Sequence, residues 1–167
     1  MPFYDRVVQQ LYVYEYIMPH MIPKFIETSY ACIPGRGLHS CIDKLQSYMR
    51  KAVREWENPY FLKYDISKFF YSINRDIMYE IMEKYYKDKR FLKLTKKFID
   101  FVGTDELFKD AGLPIGNYTS QYFANIYMNE LDQYIKHELK VKYYILLLVH
   151  VLYIGLIHSY IYLQNIV

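Results

Sequence analysis

The stretch that decides the fold is YFLKYDISKFFYSI, residues 60–73. Residues 60–66 predict a short strand, because side chains at every second position of a strand point the same way. One face is Tyr60, Leu62, Tyr64 and Ile66, and the other is Phe61, Lys63 and Asp65. A carboxylate at a strand end beside a loop, such as Asp65, can hold Mg²⁺ through hard oxygen ligands. Taken alone, Asp65 fits better as a residue that caps a turn through its own side chain.

A second informative stretch is GLPIGNYTSQ, residues 112–121, which predicts a loop that leads into a helix. Two glycines and a proline set the loop backbone, and a helix N-terminus offers free N–H groups to a phosphate. Ser120 and Ala124 are small and four residues apart, so a ligand could approach that helix face closely. Gln121 and Asn125 lie alongside as hydrogen-bonding side chains. An ordinary turn before an amphipathic helix explains the same residues.

A third stretch, GRGLH at residues 35–39, predicts a small basic loop ahead of a helix. Arg36 could contact a phosphate backbone there, although a plain surface loop is the simpler interpretation.

Apolar residues at helical spacing predict four helices around these segments. The first would end at Pro19 and Pro23 and bury Val7, Leu11, Tyr14 and Met18. The second would bury Leu38, Ile42, Leu45, Met49, Ala52, Val53 and Trp56. The third, capped by Asn74, would bury Ile77, Ile81 and Tyr85. The fourth, from residue 117 or 119, would bury Phe123, Ile126, Tyr127, Leu131, Tyr134 and Ile135. Residues 84–97 are rich in lysine, which is typical of a solvated surface.

The composition of this 167-residue chain fits one domain or part of a larger one. Lys and Arg number 21 against 18 Asp and Glu, so the net charge of +3 is compatible with a polyanionic partner without establishing one. Hydrophobic residues make up 53%, which excludes intrinsic disorder. Two cysteines cannot form a disulfide scaffold, and no His/Cys cluster has zinc spacing. The N-terminus does not read as a signal peptide, so we expect a cytoplasmic protein.

Together, these segments resemble the bacterial reverse transcriptases. Residues 60–73 look like motif A, the strand with the first catalytic aspartate, and GLPIGNYTSQYFAN, residues 112–125, is similar to motif B. PFYDRVVQ (2–9) and SYACIPGRGLH (29–39) resemble the finger segments that precede motif A. Group II intron and retron enzymes usually have Gln and Pro where this chain has Ile115 and Gln121. Those two residues look more like the enzymes of diversity-generating retroelements.

The resemblance implies an α+β fold, a partial right-hand polymerase that is mostly helical with a small antiparallel palm sheet. Residues 1–59 would be fingers-like and 60–144 palm-like, and 145–167 would be an apolar tail where motif C is expected. The implied activity is RNA-directed DNA synthesis by two-metal nucleotidyl transfer with Mg²⁺ or Mn²⁺. The implied partners are an RNA template, a DNA primer and dNTPs, with an accessory protein as a further candidate.

The resemblance also implies roles for individual residues. Asp65 would be a ligand of both metal ions, assisted by the carbonyl group of Ile66. The ring of Phe70 would screen the sugar 2′-hydroxyl and so favour dNTPs, with a buried core Phe as the alternative. The nucleotide and template side would be lined by Gly116, Ser120 and Gln121. The nucleic-acid backbone would be contacted by Arg36 and Lys63.

One part of the family pattern is missing. Motif C, a hairpin with Tyr-x-Asp-Asp, should begin a few residues after Tyr144, but residues 145–154 read ILLLVHVLYI. No Asp or Glu follows Glu138. One Asp cannot hold two divalent ions against the repulsion of a triphosphate, so we expect little or no polymerase activity.

The apolar run from Tyr144 has several interpretations. Residues 144–167 contain no Asp, Glu, Lys or Arg and are long enough to span a membrane. His150, His158 and the lack of a basic flank argue against a membrane anchor. A frameshifted, degraded or truncated reading frame is favoured, and a hydrophobic β-hairpin without its acids is the structural alternative. Two other functions stay open, a nucleic-acid-binding module without chemistry and a membrane-attached protein.

Overall fold

The computed structural model describes residues 3–101, 111–147 and 150–155. Its helices are α1 (Phe3–Tyr12), α2 (Met18–Met21), α3 (Leu38–Glu55), α4 (Phe69–Ser72), α5 (Arg75–Tyr85), α6 (Lys89–Ile99) and α7 (Tyr118–Gln133). Two π-helical segments are Val13–Ile17 and Tyr134–Glu138, and Ile22–Lys24 is a 3₁₀ turn. The strands are β1 (Tyr60–Asp65), β2 (Tyr143–Leu147) and β3 (His150–Gly155). The prediction of a mostly helical chain is confirmed.

The chain forms two compact units, each assembled from two separate parts of the sequence. The first unit is Met1–Phe25 with Ser67–Asn129, and the second is Ile26–Ile66 with Glu130–Val167. The division into fingers-like, palm-like and tail segments stays a prediction. None of the helices in the described ranges is both long and apolar enough to cross a membrane. The interpretation of the tail as a membrane anchor falls largely on residues 156–167, which lie outside the described residues.

The core of the first unit is organised around Tyr12. Its ring stacks on Phe91 with centroids 5.1 Å apart and meets Phe98 edge-on at 4.9 Å. Its hydroxyl shares a hydrogen bond with Thr95 Oγ1 at 2.7 Å. Burial raises the pKa of the Tyr12 hydroxyl far above its ordinary value, so the hydroxyl stays neutral. These contacts attach α1 to α6.

The predicted buried face of the N-terminal helix is wrong. Val7, Leu11 and Tyr14 are exposed. The buried residues are Gln9, Tyr12, Val13, Ile17 and Met21. The π-helical turn accounts for part of the difference, because it holds more residues per turn and breaks the 3.6-residue spacing. The chain also stays helical through Pro19, which lies in the first turn of α2, where a missing N–H group is tolerated.

Helix α3 lies where the sequence predicts it, but it buries a different face. Most of the predicted core residues are at least 40% exposed, namely Leu38, Ile42, Met49 and Val53. Ala52 is buried as predicted, and the predicted Leu45 and Trp56 pack against the core. Cys41 is a buried residue that the prediction left out. Apolar spacing identifies an amphipathic helix, whereas the packing partner decides which of two neighbouring apolar stripes is covered.

Helix α5 begins as predicted, because the side-chain oxygen of Asn74 accepts hydrogen bonds from the N–H groups of Asp76 at 2.9 Å and Ile77 at 3.1 Å. Its buried face is again one residue away from the prediction. Met78 and Met82 are fully buried, and Ile77 is 44% exposed.

Helix α7 also begins as predicted and buries much of its predicted face. Phe123, Ile126 and Ile135 are buried, whereas Tyr134 is 44% exposed. The helix buries polar residues as well, namely Thr119, Ser120, Asn125, Asn129 and Asp132. The face of Ser120 and Ala124, predicted to be open to a ligand, is therefore covered by protein.

The second unit contains a three-stranded antiparallel sheet with the order β1–β3–β2. Tyr60 pairs with Gly155 at one end of the β1–β3 ladder, and Asp65 pairs with His150 at the other. Leu147 also pairs with His150, so the consecutive strands β2 and β3 form an antiparallel hairpin. The apolar run after Tyr143 therefore includes the hairpin of the alternative interpretation.

Helix α3 and an extended segment hold β2 in place. The ring of Tyr143 packs on Tyr48 at 4.9 Å and on Trp56 at 5.4 Å. On the backbone, the Leu146 N–H group donates to the Thr28 carbonyl at 2.9 Å. The Tyr30 N–H group donates to the Leu146 carbonyl at 3.0 Å, so residues 28–30 run along the outer edge of β2.

Candidate active site

Strand β1 places Asp65 at the end of the sheet where β2 ends and β3 begins. Its backbone lies opposite His150, the first residue of β3, and its side chain is exposed. The alternation predicted for β1 is confirmed, since Leu62 and Tyr64 are partly covered while Lys63 is exposed with Asp65. Beyond the strand, Ile66 is half-buried.

The residues at this edge do not fit a pair of divalent metal ions. Asp65 is the carboxylate that β1 supplies there, and the sequence has no Asp or Glu beyond Glu138 from which β2 or β3 could add another. Within the described ranges, no three His, Cys, Asp or Glu residues come together as a metal site. A carboxylate and a backbone carbonyl leave two hard cations short of oxygen ligands and of compensating charge.

The two basic residues predicted to contact nucleic acid lie in the same unit as Asp65. Lys63 is exposed on β1, on the same strand face as Asp65. The guanidinium of Arg36 donates from one nitrogen to the carbonyl oxygen of Ile26 at 2.7 Å and to that of Ser29 at 3.4 Å. Arg36 therefore holds its own loop region together, and its contact with a phosphate stays a prediction.

Phe70 and the glycine loop meet in the other unit. The Leu113 N–H group donates to the carbonyl oxygen of Phe70 at 2.7 Å, and the Gly112 N–H group donates to that of Ile73 at 2.8 Å. The start of the loop is thus attached to the backbone in and after α4. The Phe70 ring is partly exposed, which differs from the alternative of a fully buried core residue.

Gly112 cannot be replaced by another residue without displacing the backbone. Its φ is +87°, and a Cβ atom there would lie 2.7 Å from the Phe70 carbonyl oxygen and 2.8 Å from Tyr71 Cα. Arg75 fixes the loop from the other side, since its guanidinium donates to the carbonyl oxygens of Gly112 at 2.9 Å and Ala111 at 3.1 Å. Arg75 was not predicted as a site residue, because nothing in the sequence distinguishes it from an ordinary residue in the first turn of a helix.

Gly116 lies further along the loop, at the rim of a polar cavity of about 470 Å³. Its φ is +91°, and nothing lies within 4 Å of the place where a Cβ atom would be. Arg6 and Gln10 of α1 line the cavity with Asn117. The sequence analysis gave Arg6 no role of its own, although Arg6 lies in the segment 2–9 that resembles the fingers. Of the other two predicted residues, Ser120 is buried and Gln121 is exposed.

A buried carboxyl group in the second unit was also missed. Asp132 is 1% exposed and accepts a hydrogen bond from the Tyr144 hydroxyl at 2.6 Å. Burial raises the pKa of Asp132 to about 7, because desolvation disfavours the charged carboxylate more than the tyrosine bond favours it. The bond ties the C-terminal end of α7, within the second unit, to β2. A signal was present in the sequence, since Asp132 lies between Leu131 and Ile135 on an otherwise apolar part of the helix.

Comparisons with known proteins identify a family and a similar protein. The family model for reverse transcriptase (RNA-dependent DNA polymerase) matches residues 1–154, which takes the match through β2 and most of β3. The chain is also similar to an uncharacterized 91 kDa protein in cob intron of Schizosaccharomyces pombe, with 29% identity over 139 residues. That match covers 80% of this chain and 16% of the relative, so the chain spans about a sixth of the relative's length.

The relative's name places it in an intron, and the likeness of this chain to the enzymes of diversity-generating retroelements stays a prediction. The family uses divalent metal ions and acts on a nucleic-acid template and primer with dNTPs. Because the family model matches nearly the whole length, the chain belongs to the reverse transcriptase (RNA-dependent DNA polymerase) family.

Proposed function

We propose that the chain is a reverse transcriptase domain that binds primer–template nucleic acid and has little or no nucleotidyl transferase activity of its own. The observation that carries the proposal is the pairing of Asp65 with His150. Asp65, which we assign as the first acid of the family, pairs with a hairpin whose sequence has no acid. In the family, two metal ions activate the primer hydroxyl and stabilise the charge of the triphosphate. This chain lacks the carboxylates to hold them.

The binding half of the proposal is supported by basic and polar groups that do not depend on metal ions. Lys63 is exposed beside Asp65, and the cavity at Gly116 combines the Arg6 guanidinium with amide side chains. Guanidinium and ammonium groups attract phosphates without reading the sequence of the bases. We therefore expect the affinity for a primer–template duplex to fall steeply as the salt concentration rises.

The test measures binding and extension separately on a fluorescent RNA template annealed to a DNA primer. We expect binding by anisotropy, and no dNTP incorporation with either Mg²⁺ or Mn²⁺. Asp65→Asn should bind nearly as well as the natural chain, since Asp65 is not a phosphate-binding group. Extension that survives Asp65→Asn contradicts the assignment of Asp65.

A restoration experiment tests the role of the hairpin. Val149→Asp with His150→Asp introduces two carboxylates, one of them at His150, whose backbone pairs with Asp65, and we expect it to give metal-dependent extension above background. The matched control, Val149→Asn with His150→Asn, introduces similar side chains without charge and should stay inactive. Equal activity of the two double variants would count against the proposal, as would extension by the natural chain.

A further inference from the structure

Helix α6 has two sharply different faces. Asp88 begins the helix by accepting hydrogen bonds from the N–H groups of Arg90 at 2.7 Å and Phe91 at 3.0 Å. One face is buried or partly buried, namely Phe91, Leu92, Thr95, Phe98 and Ile99. The opposite face is exposed and basic, namely Lys89, Arg90, Lys93, Lys96 and Lys97. We call these five residues the α6 basic face.

The α6 basic face concentrates positive charge that is barely neutralised. It holds five cations within 11 residues without an acid among them, while the whole chain has a net charge of +3. Among the residues that the structure describes, Lys96 is the member of this face with an ion pair, at 3.4 Å from an Asp100 carboxylate oxygen. The other four cations are therefore available to a mobile or bound anion.

A groove runs between this face and helix α5. It has a volume of about 560 Å³ and is walled on one side by Lys89, Lys93 and Lys97. Lys96 Nζ lies 5.1 Å from the centre of the Tyr79 ring, which holds that ammonium group at the groove. Glu83 and Asp100 also line the groove. The anion should therefore meet the outer ridge of lysines and stay away from these carboxylates.

We propose that the α6 basic face binds the phosphate backbone of single-stranded RNA, as a surface separate from the candidate active site. The class of partner rests on the proposed function, and the surface itself rests on charge. Lysine is depleted in the cores of protein–protein interfaces, which are built on aromatic and arginine anchors. A membrane-bound helix needs an exposed apolar face, whereas the apolar face of α6 is buried in the protein.

The dimensions suit a short run of phosphates. From Lys89 to Lys97 the helix rises about 12 Å at 1.5 Å per residue. That length is enough for a short run of consecutive phosphates along one strand. The contacts would be sequence-independent, because ammonium groups on phosphates do not read base edges.

The test removes three positive charges from the α6 basic face and compares the resulting variant with one that loses three positive charges from α3. The variant is Lys89→Gln, Lys93→Gln and Lys97→Gln, which keeps the Lys96–Asp100 pair and replaces exposed side chains with good helix formers. The matched control removes three exposed cations of α3 by Arg50→Gln, Lys51→Gln and Arg54→Gln. Circular dichroism checks that both variants fold. The ligand is a labelled single-stranded 20-nucleotide RNA of mixed sequence, titrated at several KCl concentrations.

We expect the α6 variant to bind this RNA about 10- to 100-fold more weakly near 0.1 M salt, with the slope of log K against log[salt] reduced by about 2. The α3 control should stay within about threefold of the natural chain. The single change Lys93→Gln should give about a third of the slope difference. Equal binding by the α6 variant and the natural chain would overturn the proposal, and so would an equal loss in the α3 control.

Competition decides the class of partner. Polyglutamate or anionic lipid vesicles that displace the RNA at equal concentrations of charge would contradict the assignment to RNA. If the natural chain binds single-stranded RNA through the α6 basic face but does not bind the primer–template duplex, the proposed function is rejected and the α6 proposal stands. If it binds the duplex but its RNA binding does not depend on the α6 basic face, the α6 proposal is rejected and the proposed function stands.

Discussion

Replacing Asp132 by Asn should abolish a pH dependence of stability that this buried carboxyl group creates. Its pKa is about 7 in the folded chain, against 3.8 for an unburied Asp. Below pH 3.8 the group is protonated in both states, and its contribution to stability is fully present. As the pH rises towards 7, the unfolded chain ionises first, so the folded chain loses stability until its own carboxyl group ionises.

The two pKa values set the size of the effect. Between pH 5 and pH 8, the free energy of unfolding should fall by about 3 kcal/mol on account of Asp132. An Asn side chain has no proton to exchange, and its oxygen can still accept the bond from Tyr144. The difference in stability between the natural chain and Asp132→Asn should therefore shift by this amount in favour of the variant.

The assay is urea unfolding followed by circular dichroism at pH 5, 6, 7 and 8. Asp43→Asn, at an exposed position in α3, serves as the control and should give a curve parallel to that of the natural chain. Tyr144→Phe removes the bond that lowers the pKa of Asp132, so the fall in stability should extend to higher pH. Parallel curves for Asp132→Asn and the natural chain would refute the reasoning.

Three further substitutions test the glycine loop and the aromatic residue beside it. Gly112→Ala should lower the free energy of unfolding by about 3 kcal/mol or more, because it adds a backbone clash to a strained positive φ. Gly116→Ala, with a similar φ and open space, should cost about 1–2 kcal/mol in the same urea titration, and equal costs would contradict the role of the clash. In the variant with both hairpin acids restored, Phe70→Ala should relax the discrimination against ribonucleotides, measured as the ratio of rNTP to dNTP incorporation. An unchanged ratio would leave Phe70 without a role in sugar selection.

The sequence predicts the parts of this fold that depend on local chemistry. The alternation of β1 and the Asn74 cap are both set by residues within a few positions, and both are confirmed. The family resemblance also holds, because it rests on short contiguous strings that the family model matches.

The predictions that are wrong or incomplete concern burial and pairing, which depend on residues far away in the sequence. Val7 and Leu11 lie on α1, but α6 packs on the neighbouring side of that helix, which carries Tyr12, and leaves both of them exposed. In α3, the apolar stripes of Ile42 and Cys41 are neighbours, and the packed sheet covers only the second. The pairing of Asp132 with Tyr144 joins residues 12 positions apart and cannot be read from either one alone.

Asp65 also has a role that is independent of catalysis, at the outer edge of β1. Residues 28–30 occupy the outer edge of β2, whereas in the described part of the chain no strand pairs with the outer edge of β1. Such an edge invites strand addition from other molecules, and charged side chains such as Lys63 and Asp65 oppose it. Neutralising Asp65 therefore weakens a barrier to intermolecular aggregation, so even a chain without polymerase activity would be under pressure to retain this aspartate.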